Sequence, residues 1–121
     1  MDPVAFRVPA GAAEADQARV EICFDKLKAV SIGQPDRFGE FTLNVTLNKA
    51  GALELAQATI PNVGSKAEIV QGNETLVSPI INEPLLGGSF AISGVETIAR
   101  AEQIRQAMQG RCSVVKDKLN D

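Results

Sequence analysis

Histidine, tryptophan and tyrosine are absent from this chain. Without histidine there is no Ser-His or Cys-His catalytic pair, and the commonest metal ligand is missing. The only aromatics are five phenylalanines, too few for the stacking platforms that hold single-stranded nucleic acid. Basic charge is also scarce. Lys and Arg number 12 against 15 Asp and Glu, for a net charge of −3. A nucleic-acid partner would need a basic stripe, so that class is excluded. No apolar run approaches the roughly 20 residues of a spanning helix. Residues 1–17 lack the basic start and continuous apolar stretch of a secretory signal.

Cysteine is sparse too, with Cys23 and Cys112 far apart. The spacing is wrong for a CxxC redox motif, and two are too few for a zinc site. They are either a disulfide or two free thiols packed as small hydrophobes. A bridge closing so long a loop contributes roughly 4 kcal/mol on the chain-entropy model.

At 121 residues and 45% hydrophobic content, the chain has the size of one domain with a modest core. Val, Ile, Leu and Ala must supply that core. Residues 1–17 carry no apolar periodicity and read as a flexible lead-in. Val20, Ile22 and Phe24 alternate with polar neighbours or cysteine, as in a strand. Residues 26–32 continue extended, and Gly33-Gln34-Pro35-Asp36 is turn chemistry. Phe41, Leu43, Val45 and Leu47 alternate strictly with Thr42, Asn44 and Thr46, the cleanest strand pattern here.

Asn48 is a natural N-cap for a helix over 49–60, with Leu53, Ala56 and Ile60 on its inner face. Residues 67–71 and 76–81 form a hairpin about Gly72-Asn73. Pro79 removes a ladder donor and places its strand at an edge or bulge. A further strand spans 89–93. A second helix presents Ile98, Ala101, Ile104 or Arg105, and Met108 inward, and Gly110 stops it. Residues 112–115 read as a short terminal strand, with a polar tail over 117–121. The expected fold class is α+β: a two-layer sandwich, a mainly antiparallel sheet with two helices packed on one face. The domain spans 18–116.

Catalytic chemistry finds no support. Ser78, Ser89 and Ser93 lie near turns or strand ends, where hydroxyls bond backbone groups. Glu83 and Glu96 read as a solvated loop acid and a first-turn helix acid rather than a carboxylate pair. Gly87-Gly88 with Gly94 lacks the lysine and spacing of a phosphate loop, so these glycines serve a turn. No catalytic, cofactor-binding or metal-binding residue is assigned, and no cofactor is expected.

The segment 66–110 carries a strand, the Gly72-Asn73 turn and Ser78-Pro79, followed by Ile81, Pro84, Gly87-Gly88 and Ile92-Ser93-Gly94 at the start of a helix. Before it come the strand at 41–47, Lys49-Ala50-Gly51-Ala52, and Asn62-Val63-Gly64. This succession, over 41–109, resembles the head subdomain of the first periplasmic domain of SecD, the membrane subunit that assists bacterial protein export. The family usually has Asn-Phe-Thr where Val95-Glu96-Thr97 stands here. It leads from its second helix to an Arg-Ser-Gly-Ala-Leu-Pro stretch where this chain has Gln109-Gly110-Arg111-Cys112.

The resemblance implies a periplasmic location with a signal peptide removed, a cytoplasmic one staying open. It favours the Cys23–Cys112 bridge, because that compartment is oxidising. It implies a non-enzymatic module that binds a protein or extended peptide by strand addition. It does not extend to the export motor, which needs membrane helices. The apolar surface of Leu76, Val77, Ile80, Leu85, Leu86 and Phe90, with Glu83, is either core of a bent sheet or the partner-binding patch. The alternative function is an immunity or inhibitor protein that neutralises a toxic effector enzyme by direct binding.

Overall fold

The computed structural model describes residues 3–9 and 18–112. The expected terminal strand at 112–115 and the polar tail fall almost wholly outside that range. The α+β sandwich is present, and its strands divide between two antiparallel sheets. One has the order β2-β1-β5-β6 and the other β3-β4-β7. Strand β1 is Val4–Val8, β2 Ala18–Ile22, β3 Leu27–Ile32 and β4 Phe41–Leu47. Helix α1 spans Lys49–Thr59, and β5 and β6 span Glu68–Gln71 and Glu74–Val77. Strand β7 is Ser89–Val95 and α2 is Ile98–Met108.

The flexible lead-in does not extend over residues 4–8. They form β1, an inner strand hydrogen-bonded to both β2 and β5. The strand expected through Phe24 ends at Ile22, and Phe24–Lys26 make a 3-10 turn with Phe24 exposed. That turn moves the chain from the first sheet to the second. Strand β4 is as its alternation predicts: Leu43, Val45 and Leu47 are buried, and it pairs with β3 and β7.

The cap of α1 also forms as expected, since the Asn48 side chain accepts from Gly51 N–H at 3.0 Å. The inner face differs. Gly51, Leu55, Ala58 and Thr59 are buried, while Leu53 and Ile60 are 59% and 55% exposed. Close approach decides this. A Cβ on Gly51 would lie 2.7 Å from the Lys26 carbonyl oxygen and 2.9 Å from Leu47 Cβ. At position 51 only a residue without a side chain lets α1 sit that near the turn and β4, and this fixes which face of the helix turns inward. In α2, Ala101, Ile104 and Met108 are buried as expected, but Ile98 is half exposed at the first turn.

One core joins the layers. Phe6, Ile22, Leu43, Leu55, Ile92 and Ile104 are among its fully buried members. The two cysteines form a disulfide with Cα atoms 4.8 Å apart. Beside it, Phe24 N–H donates to the Gly110 carbonyl at 2.9 Å. Together they tie the end of α2 to the place where the chain changes sheets.

Candidate functional site

Strands β6 and β7 are the adjoining edges of the two sheets, each with one neighbour in its own sheet. The N–H and C=O groups on the other side of such a strand have no ladder partner. Two grooves lie along the seam between these edges, and β6 residues or the chain just after them face β7 in both.

Local chemistry explains how the seam is built. Gly72 takes φ of 61°, which allows the tight hairpin that pairs Gln71 with Glu74. The β5–β6 register then shifts between Ile69 and Val70. Past β6, Pro79 has no N–H to offer, but its carbonyl accepts from Ala67 at 2.8 Å. Ile80 bridges to Lys66, and Ile81 N–H donates to Ser65 at 2.9 Å. The chain thus stays extended along the sheet edge and buries Ile81.

The loop that follows is pinned to α1. Leu85 N–H donates to Thr59 Oγ1 at 2.9 Å, and that hydroxyl donates to the Leu55 carbonyl at 2.9 Å. Gly88, at φ of 75°, sits where a Cβ would lie 2.7 Å from Ala52 Cβ. Its carbonyl accepts from Leu47 at 2.8 Å, which leads directly into β7.

The first groove encloses about 290 Å³. Core residues Phe6 and Ile69 form its floor, Ile80, Leu85 and Phe90 line it, and Glu83 stands exposed among the lining residues. The second, of about 350 Å³, is the more polar of the two and mixed in lining: Glu74, Leu76, the segment from Ser93 to Thr97, Arg100 and Ile104. Arg100 donates to Glu74 at 2.6 Å across it.

Of the seven residues expected to bind a partner, Ile80, Glu83, Leu85 and Phe90 come together in the apolar groove. Leu76 lines the polar one. Val77 packs partly against the core, and Leu86 is 64% exposed; neither lines either of these two grooves. Phe6 at the floor went unrecognised because it lies in the stretch read as a lead-in. The Glu74–Arg100 pair joins residues 26 positions apart, a separation no local pattern reveals. Among the described residues, no group of three His, Cys, Asp or Glu side chains converges as a metal site would. No helix there is long and apolar enough to cross a membrane.

Known proteins place this architecture. A family model described as the SecDF P1 head subdomain matches residues 10–111. The protein translocase subunit SecD of Rickettsia bellii is 33% identical over 69 residues, covering 57% of this chain and 13% of its own. Subunit SecDF of Thermus thermophilus is 28% identical over 69 residues, covering 57% and 9%. The chain therefore spans a small part of the relatives it matches. Among solved structures, a membrane component SecDF that enhances protein export aligns with a TM-score of 0.72 at 19% identity, over 93% of this chain and 65% of that one. SecDF in a super-membrane-facing form aligns at 0.71 and 18% identity, over 93% and 19%. At such identity these likenesses concern the fold, and the family match rests on the sequence: this chain belongs to the SecDF P1 head subdomain family.

Proposed function

We propose that this domain is a non-enzymatic binding module of protein translocation. It takes an extended polypeptide segment into the seam between β6 and β7, in an oxidising, export-side compartment. The observation that carries the reading is the pair of adjoining sheet edges flanking an apolar groove floored by Phe6 and Ile69. Strand addition needs an exposed sheet edge: main-chain hydrogen bonds supply affinity, and a pocket for alternate side chains supplies selectivity. The names of the relatives, translocase subunits SecD and SecDF, agree with a polypeptide as occupant. The disulfide agrees with the compartment.

The test is fluorescence anisotropy of a labelled, permanently unfolded polypeptide titrated with the domain. The wild-type domain binds it. Ile80 is 52% exposed, so Ile80→Asp leaves the fold intact by circular dichroism. The variant weakens binding about tenfold, because it places a charge beside apolar surface. Equal affinity for the two proteins, or no binding by either, refutes the reading.

A further inference from the structure

We infer that the seam selects among extended polypeptides by charge, preferring segments in which a large apolar side chain has a cation close beside it and rejecting acidic ones. This rests on the polypeptide-binding reading above and adds its selectivity. The linings of the two grooves contain three carboxylates, Glu74, Glu83 and Glu96, and one cation, Arg100. Arg100 is already committed to Glu74 at 2.6 Å. Glu83 and Glu96 have no ion-pair partner among the described residues. Lys66 bridges to Ile80 through its backbone and lines neither groove. A segment lying along β7 therefore meets uncompensated negative charge at both ends of its path.

The ends differ in what they offer. The apolar groove, about 290 Å³ with Ile80, Leu85 and Phe90 around it, has room for one aromatic or large aliphatic side chain. Glu83 is among the same lining residues, so a Lys or Arg one or two residues along meets its carboxylate. A Glu or Asp there meets a like charge and loses hydration without compensation. Such a pair is partly solvated, so its effect is moderate and falls with added salt.

The probes are three synthetic peptides of equal length on a Ser/Thr background, with blocked ends to remove terminal charge. Their central pairs are Phe-Lys, Phe-Glu and Ala-Lys. At low ionic strength the Phe-Lys peptide binds about tenfold more tightly than either of the others. Raising the salt narrows the gap between Phe-Lys and Phe-Glu but not that between Phe-Lys and Ala-Lys. Glu83→Lys, at an exposed position, reverses the Lys/Glu preference while the domain stays folded by circular dichroism. Equal binding of Phe-Lys and Phe-Glu, or an unchanged preference in Glu83→Lys, overturns the inference while leaving the polypeptide-binding reading intact. If the domain binds neither the peptides nor the unfolded polypeptide, the reading beneath it falls as well.

Discussion

The two sheets of this domain are stabilised in opposite ways. In the four-stranded sheet, β1 buries Val4, Ala5, Phe6 and Val8 to within 1% exposure, side chains from both faces of the strand. In the three-stranded sheet, β3 has no fully buried residue, and β4 alternates between buried and accessible positions. The first is organised around a strand with four of its five residues buried, the second around a single apolar face.

Substitutions test the contrast by how much stability each sheet loses. Phe6→Ala has the largest expected effect, about 4 to 5 kcal/mol in denaturant unfolding, since a large, fully buried ring is removed from the first sheet. A loss below about 2 kcal/mol would mean β1 is less central than its burial indicates. Next is the joint between the sheets. Replacing Cys23 and Cys112 together by Ser lowers stability by about 2 to 4 kcal/mol, measured against the oxidised protein. The reduced wild type should match the double variant; a difference between them would show that the serines themselves perturb the fold.

Gly51→Ala probes the packing of α1 on the second sheet and the turn between the sheets. Helix propensity favours alanine by about 1 kcal/mol, but the new methyl meets backbone at 2.7 Å. Overpacking of that kind costs typically 1–3 kcal/mol, so the net change is a loss of about 1 kcal/mol in thermal or denaturant unfolding. A gain would show that the helix moves outward freely. The smallest effect belongs to the second sheet's outer strand. Val30 is half-buried in β3, and Val30→Ala costs under about 1 kcal/mol in the same assay. An equal cost at Val30 and Phe6 would erase the distinction between the sheets.

The parts legible in the sequence are those where local chemistry and tertiary role agree. Strand β4 shows one apolar face because it has one buried face. Asn48 caps α1 because a short carbonyl side chain placed before a helical run reaches Gly51 N–H. The Gly72-Asn73 turn follows from the positive φ that glycine supplies. Other features were hidden for identifiable reasons. Strand β1 is five residues long, and its alternation of Val4, Phe6 and Val8 with Ala5 and Arg7 is confined between Pro3 and Pro9, too short to stand out from the segment around it. The inner face of α1 is set by the nearness of Lys26 and Leu47 to Gly51, which buries Leu55 and leaves Leu53 and Ile60 exposed. In the seam, the apolar groups near one another in sequence, Ile80, Leu85 and Phe90, were recognisable together. Part of their floor, Phe6, comes from the distant strand β1, and the Arg100 that crosses the second groove to Glu74 comes from helix α2.

The disulfide described above also decides how the domain carries a mechanical load. Cys23 follows β2, and Cys112 lies just beyond α2. Tension applied from before Cys23 and beyond Cys112 passes from one sulfur to the other. Strands β3 to β7 and both helices lie inside the covalent ring and bear none of that tension. Strands β1 and β2 lie outside it, so under pull they are the part that can be peeled away. Because β1 lies beside β5 and carries Phe6, peeling would remove Phe6 from the floor of the apolar groove, leaving Ile69, before the seam's own strands were stretched. The groove would thus lose part of its lining with no unfolding of the strands inside the covalent ring.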